Sequence, residues 1–410
     1  MEKEKFVVAV YVPNSLNKTL GGAFTYIEVL IDFLLKVEDD ELCFKVILEG
    51  KKEGISQNEI LVDYNQIKYS FKQRAILWVS TFVSYLRKSK RIKTIKNNQK
   101  SKYIVDTLLN ANVDIIYYPN QHSALTDQFP FVINNWDLAH ITVPPLPDTL
   151  KDIVFREKWY NEIATKAIAV FAESEKGKDE IQKLLNFHEN RIKVLPIFPG
   201  KVVNMEVPIE EQSLILKKLI LTSDNYFFYP AQFWALKNHY NLLQAFSLID
   251  FENRDTFKIV FCGSDKNNKE YIKHVAANLG LQDRVVFLGF VSNEELYTLY
   301  KNCSSLVFPS LLGPTNMPIL EAMELEVPVL CSNLDGHKEM LPNYLGMFDP
   351  LNSIEMSDVM RRFIFDSDFK KVLKEQLIEI KKNSKFNSKT SSMLLLKYFK
   401  EIKNFRRIWK

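Results

Sequence analysis

The stretch Pro309-Ser310-Leu311-Leu312-Gly313-Pro314-Thr315-Asn316-Met317-Pro318-Ile319-Leu320-Glu321-Ala322-Met323 decides how this chain is read. Leu306, Val307 and Phe308 just before it predict the end of a buried strand. Gly313 and two prolines then make a loop, and a helix follows. Pro318 suits the first helical position, where a missing N–H costs nothing. The free N–H groups of such a helix start form a site for phosphate. Glu321 comes one turn in, an acceptor placed for hydroxyl groups. Strand, phosphate-binding turn and carboxylate together point to a nucleotide-sugar site. Taken alone, the same residues equally describe a plain strand-to-helix turn with a solvated Glu.

Around this stretch the second half of the chain alternates strands and helices. Strands are expected at Tyr226–Tyr229, Lys258–Cys262, Val285–Leu288, Ser305–Phe308 and Val327–Cys331. Ser292-Asn293-Glu294-Glu295 reads as a capping box, and Asn352-Ser353-Ile354-Glu355 as another helix start. The first half follows the same rhythm more loosely. Its strands are expected at Phe6–Val12, Leu42–Leu48, Val113–Tyr118, Phe131–Asn134, Ala167–Ala172 and Ile192–Leu195, with a helix from about Ala23 to Leu35. Near-continuous apolar strands separated by helices imply parallel sheets covered on both faces. At 410 residues, one compact core is exceeded and two domains are expected. The stretch Pro199–Val207, with Pro199, Gly200 and the following Pro208, lacks periodicity and marks the break. The fold class is therefore α/β: two doubly wound Rossmann-like domains facing a cleft. The domains are assigned to residues 1–203 and 204–384. Ligands in such sheets bind beyond the carboxyl ends of the strands.

Composition narrows the function classes. Hydrophobic residues make up 46% and charged residues 25%, ordinary for a globular protein. Cys43, Cys262, Cys303 and Cys331 are far apart and show neither metal spacing nor a disulfide framework, which points to buried thiols in a reducing compartment. The opening Met1-Glu2-Lys3-Glu4-Lys5 leads into a strand without a signal-peptide pattern. The uncharged run Ala75–Leu86 is too short to span a bilayer. The expected location is cytoplasmic, with peripheral contact at the inner face of the membrane. Net charge is only +4, but it is uneven: Lys72–Lys102 holds ten Lys/Arg and no acid, and Lys370–Lys410 holds thirteen against three acids. Such asymmetry suits an anionic partner surface. Trp78, Phe82, Tyr85 and Leu86 recur at helical spacing beside Arg87, Lys88, Lys90, Arg91 and Lys93, a pattern that suits an anionic membrane. It equally suits a helix whose aromatics pack in the core. No recognised nucleic-acid motif accompanies the charge, so no nucleic-acid partner is expected.

Several segments fall in an order that resembles the retaining glycosyltransferases of family 4, which have the GT-B fold. Tyr229-Pro230-Ala231-Gln232-Phe233-Trp234-Ala235-Leu236-Lys237-Asn238-His239 resembles the first loop of that family's nucleotide domain. Ile259–Gly263 resembles its next strand and glycine turn, and Val285–Val291 its nucleobase-contacting strand end. Pro309–Met323 resembles its donor-sugar loop and helix. The likeness is dense over 220–350. In the first half it rests on Gly21-Gly22, Trp136–His140 and Arg156-Glu157-Lys158.

The resemblance implies roles. Lys237 would contact the donor diphosphate and stabilise the leaving group. Glu321 would hold the ribose hydroxyls, matching the second Glu of the family's Glu–seven residues–Glu motif. Two positions depart from the family. Gln232 stands where an arginine is usual, and Gly313 stands at the first Glu of the motif. The loop Gly313-Pro314-Thr315-Asn316 resembles a variant found among enzymes of surface-polysaccharide assembly, with Thr315, Asn316 and backbone N–H groups taking over contacts. Donor-binding positions are thus expected at Gly21, Gly22, Gln232, Lys237, Gly263, Phe290, Val291, Gly313, Pro314, Thr315, Asn316, Met317 and Glu321. Asp137, His140 and Lys237 are the candidate catalytic residues. His122 is a weaker candidate, Arg156 and Glu157 read as a helix-surface or interdomain pair, and Glu339 reads as either a helix cap or a ligand contact. The resemblance also implies that residues 385–410 end in a helix returning to the first domain.

The implied activity is transfer of a sugar from a nucleoside-diphosphate sugar to a hydroxyl of a glycan or lipid-linked saccharide, in surface-polysaccharide or O-antigen assembly. The fold generally needs no metal, and no Asp-x-Asp stands at a strand end. No cofactor beyond the donor substrate is expected. Two alternatives stay open: a non-catalytic nucleotide-sugar-binding scaffold, and another GT-B enzyme such as a nucleotide-sugar epimerase.

Overall fold

The computed structural model describes residues 5–16, 21–52, 54, 56–82, 90–143, 146, 150–251 and 256–408. Two all-parallel sheets organise the chain. The first has the strands β1 (Phe6–Tyr11), β2 (Leu42–Glu49), β3 (Glu59–Val62), β4 (Ile115–Tyr118), β5 (Phe131–Asn135), β6 (Ala169–Ala172) and β7 (Ile192–Val194), in the spatial order β3-β2-β1-β4-β5-β6-β7. The second has β8 (Tyr226–Pro230), β9 (Lys258–Cys262), β10 (Val285–Gly289), β11 (Ser305–Phe308), β12 (Val329–Ser332) and β13 (Met347–Phe348), in the order β10-β9-β8-β11-β12-β13. Each order turns back beside the first strand of its sheet, which opens the crevice where ligands of such folds bind.

The strands are apolar on both sides because helices cover both faces. In β1, Val7, Ala9 and Tyr11 enter one core while Phe6, Val8 and Val10 enter another. Two edge strands escaped the sequence reading. Glu59-Ile60-Leu61-Val62 alternates in burial as an edge strand does, and Met347-Phe348 is only two residues long. The helix ends read from sequence are present. Ser292 accepts from the Glu295 N–H and Glu295 answers at the Ser292 N–H, while Asn352 accepts from the N–H groups of Ile354 and Glu355.

The final helix, Ser388–Ile408, lies on the first domain. Phe399 sits among Phe44, Tyr117 and Phe171 with ring centroids 5.5–5.9 Å away. The Tyr398 hydroxyl donates to the Val194 carbonyl at 2.8 Å. Its cations have local partners: Lys400 meets Asp39 at 2.7 Å and Lys403 meets Glu41 at 2.7 Å. Lys370, Lys381 and Lys385, just upstream, pair with Asp224, Glu326 and Glu339. Much of the C-terminal positive charge therefore docks this segment onto its own protein. In the other basic segment, the helix Phe71–Phe82 leaves Phe71 and Trp78 largely exposed. Tyr85, Leu86, Arg87 and Lys88, and the side chains of Phe82, Lys90 and Arg91, lie outside the described residues. Among the described residues no helix is long and apolar enough to cross a membrane.

Candidate active site

Lys237 closes the short turn that follows β8, where the Tyr229 hydroxyl donates to its carbonyl at 2.5 Å. Its ammonium donates to Asn316 Oδ1 at 3.0 Å and stands 5.3 Å from the Phe308 ring centre. Asn316 is held from behind. Its Nδ2 reaches the Leu312 carbonyl at 3.2 Å and His337 Nε2 at 2.9 Å. His337 Nδ1 lies 2.8 Å from the Ser332 carbonyl. A carbonyl only accepts, so the ring proton belongs on Nδ1, Nε2 accepts from the amide, and the amide oxygen faces the lysine. Burial drives the His337 ring down to about 4, with the nearby Lys237 adding to it, so the relay is neutral near pH 7. Burial likewise brings Lys237 down to about 8, against the opposing pull of Asp137 and Glu173.

The helix after the loop Gly313–Asn316 runs Met317–Glu324, one residue earlier than Pro318 alone implies. At its start Pro318 has no N–H and the Ile319 N–H donates to the Asn316 carbonyl at 3.1 Å, so this helix end offers fewer free N–H groups than the sequence implies. Glu321 is buried, not solvated. The Tyr300 hydroxyl donates to its Oε2 at 2.7 Å, and the Gly200 N–H also reaches it. Burial raises its carboxyl, while these two donors oppose the shift. A carboxylate has about four acceptor positions, so room for hydroxyl groups remains. Gly200 is fitted tightly here: a Cβ would lie 2.5 Å from Thr25 Cγ2 and 2.7 Å from Glu321 Oε1. Gly200→Ala is expected to cost about 1–3 kcal/mol by overpacking, seen as a lower melting temperature, and to push Glu321 aside so that donor binding weakens too.

A Cβ on Gly313 would come within 1.9 Å of Asn316 Nδ2, so a side chain there would displace Asn316 from its place beside Lys237. Gly263 closes β9 against the Ala231 carbonyl, 2.3 Å from where a Cβ would be. Phe290 is exposed beyond β10 and Val291 is half-buried, which leaves the Phe290 ring open to a planar partner. A cavity of about 200 Å³ separates the donor loop from the first domain, lined by Gly313, Pro314, Gly336, Thr142, Lys176 and Glu180 among others. A larger one, about 570 Å³, lies between the helices Gly22–Lys36 and Ser388–Ile408 and holds none of these polar groups.

The first domain brings a second polar group to the cleft. Gly21, at φ 63°, caps the helix Gly22–Lys36 in a conformation that favours glycine. Its missing Cβ would stand 3.4 Å from Gln232 Nε2, so the glycine pair and Gln232 face each other across the cleft. Asp137 follows β5 and accepts from Arg156 Nη1 at 2.6 Å and from the Ala139 N–H at 2.9 Å. Burial works to raise its carboxyl, but these partners outweigh it and hold it below the usual range. Arg156 is therefore the partner of Asp137 rather than of Glu157, because the helix Ile153–Lys158 turns it inward. Glu157 instead lies 3.6 Å from His140 Nε2. That separation is too long for a hydrogen bond, and both His140 nitrogens are buried without a partner. The His140 ring stacks on Tyr160, 5.2 Å between centres. Burial and Arg156 lower its pKa, so the ring is neutral and has an unused donor and acceptor. His122 is packed edge-on against Phe155, Trp159 and Tyr160; burial takes it down to about 3.

Glu339 caps a helix, and the helix belongs to the other domain. Its carboxylate accepts from the N–H groups of Glu175 (2.9 Å) and Lys176 (3.1 Å) at the start of the helix Glu175–Leu185. Lys385 joins it at 2.9 Å. Sequence reasoning did not find Glu173, Tyr300 or His337. Tyr300 and His337 act through contacts far apart in the chain, and Glu173 sits in an unremarkable Ala-Glu-Ser strand end.

The architecture is that of GT-B glycosyltransferase structures: two parallel-sheet Rossmann-like domains across a cleft. A glycosyltransferase from Rickettsia africae superimposes with a TM-score of 0.67 at 18% identity, covering 98% of this chain and 99% of that one. Residues 211–385, within the second domain, match the family model of glycosyl transferases group 1. The serotype-specific mannosyltransferase WbdA of Escherichia coli is 26% identical over 254 residues, 61% of this chain and 31% of WbdA. O-antigen chain mannosyltransferase B of Escherichia coli is 27% identical over 196 residues, 48% of this chain and 51% of that protein. The chain thus spans only a third to a half of the length of these curated relatives.

Proposed function

We propose that this chain is a retaining glycosyltransferase that moves a hexosyl group, mannose being the first candidate, from a nucleoside diphosphate to a hydroxyl of a glycan or lipid-linked saccharide in surface-polysaccharide assembly. One observation carries the reading: a half-buried, protonated Lys237 is aimed by Asn316 at the start of the helix that holds Glu321. The family match over the second domain and the mannosyltransferase relatives support it. In this reading Glu321 binds ribose, the donor loop and Lys237 bind diphosphate, and Phe290 with Val291 borders the base. The bond from the anomeric carbon to the diphosphate oxygen breaks, and the acceptor oxygen bonds to the same face. The acceptor proton passes to the departing phosphate. Positive charge develops on the sugar ring as in other glycosyl chemistry, and Lys237 stabilises the negative charge left behind. His140 and Asp137 border the acceptor side.

Gln232 and Gly313 favour one second reading, a scaffold that binds donor without transfer. The deciding assay uses radiolabelled GDP-mannose with a native membrane extract as acceptor source. Transfer of an α-linked mannosyl group, released by α-mannosidase, is expected. A β-linked product would refute retention. Saturable donor binding with no transfer would favour the scaffold, and interconversion of the sugar nucleotide would favour an epimerase. Contact of the Phe71–Ile95 region with anionic membrane belongs to the same reading.

A further inference from the structure

Glu173 is a carboxyl group that the steps above do not use. It directly follows β6 on the first domain, just before the helix cap Ser174, and is buried at 7% exposure. Its surroundings come from both domains. Thr315 of the donor loop faces it with hydroxyl and N–H, Asp137 lies on its own side, and Lys237 lies across the cleft. Thr315 is also 7% exposed. Its hydroxyl leans toward the Glu173 carboxyl without closing a hydrogen bond of full geometry, so Oγ1 is buried and unpartnered. An unmade hydrogen bond on a buried hydroxyl is costly, and native structures seldom retain one without a use. On the opposite flank Gly313 presents no side chain, so hydroxyl groups of a ligand beside Lys237 would find their polar partners at Thr315 and Glu173.

We propose that Glu173 and Thr315 form a hydroxyl-binding subsite across the cleft, reading a ring hydroxyl of the transferred sugar. The inference rests on the proposed function, since it takes the sugar to be attached to the diphosphate at Lys237. Burial holds the Glu173 carboxyl well above the usual range, with Asp137 adding to the effect and Thr315 and Lys237 opposing it. In its protonated form, which burial favours, the group carries one donor and one acceptor, as a sugar hydroxyl does. A neutral acid has a close mimic in glutamine. The subsite also needs both domains, so it is complete only when the cleft is closed.

The test compares GDP-mannose with GDP, and UDP-glucose with UDP, by calorimetry on the full chain. Glu173→Ala is expected to weaken the sugar nucleotide about 10-fold to 100-fold, the range for a buried hydrogen bond, and to leave the free diphosphate unchanged. Thr315→Val should give a smaller loss for the sugar nucleotide, and Glu173→Gln should stay within about threefold of wild type. With monodeoxy donors, one analogue should lose nothing further in Glu173→Ala, which identifies the hydroxyl that is read. Equal losses for sugar nucleotide and free diphosphate, or none for either, would overturn the subsite, because a purely structural role predicts no split. Should wild type bind the free diphosphate but gain nothing from the sugar, the subsite fails while the nucleotide site stands. If wild type binds none of the four, the proposed function falls and the subsite with it.

Discussion

Lys237→Ala is expected to lower transfer about 100-fold to 1,000-fold while leaving the protein folded. The magnitude is that of removing one preorganised group that stabilises charge on a leaving oxygen. The ammonium is held in a half-buried setting by Asn316 at 3.0 Å, where Coulomb attraction to a diphosphate exceeds its value in water. Stability should change little, because burial of this lysine is itself unfavourable, as its fall to about 8 records. The linkage sign follows from that fall. The unfolded chain holds the proton more tightly, so the cost to folding is present in full below about pH 8 and fades as pH rises toward the ordinary lysine value. Binding of a diphosphate has the opposite slope. It requires the protonated lysine, so affinity should be level below about pH 8 and fall as pH rises above it. Calorimetric titration of GDP between pH 6 and pH 10 checks this, and the slope should vanish in Lys237→Ala. A slope that survives the substitution assigns the titration to another group.

How the lysine is aimed explains part of what the sequence could and could not disclose. Lys237, Asn316 and Glu321 were legible because each lies in a local pattern: a turn after a strand, a loop with prolines, a helix start. The parallel sheets were legible for the same kind of reason, since doubly buried strands are continuous apolar runs. The relay from Ser332 through His337 to Asn316 was not legible. Its members are 16 and 21 residues apart in sequence, and the role of His337 depends on which ring nitrogen faces a carbonyl. Arg156 shows the same limit. Beside Glu157 it reads as half of a local pair, yet a partner 19 positions away, Asp137, takes it. The basic C-terminus is the clearest case. Charge counting pointed outward to a partner, whereas Lys400 and Lys403 meet Asp39 and Glu41, acids more than 350 positions earlier. Composition records charge but not which surface of the same chain will answer it.

Glu321 should separate structure from recognition through two substitutions. In Glu321→Ala the Tyr300 hydroxyl and the Gly200 N–H both lose their buried acceptor. Each orphaned donor costs about 1–3 kcal/mol, so a fall in melting temperature of roughly 4–24 °C is expected for domains of this size. Donor binding falls as well, but that result alone cannot distinguish a lost contact from a disturbed helix. Glu321→Gln resolves the ambiguity. Its amide oxygen can still accept from Tyr300, so most of the stability should return. It has only one acceptor oxygen left, and its NH₂ group turns toward a position that served as an acceptor. If Glu321 holds two ribose hydroxyls, this variant stays stable yet binds GDP about 10-fold to 100-fold more weakly, and a 2′,3′-dideoxyribose analogue binds wild type and variant alike. Full GDP affinity in a stable Glu321→Gln protein would confine the residue to bracing the Gly200 linker against the donor-loop helix, and the ribose would have to be held elsewhere along the cleft.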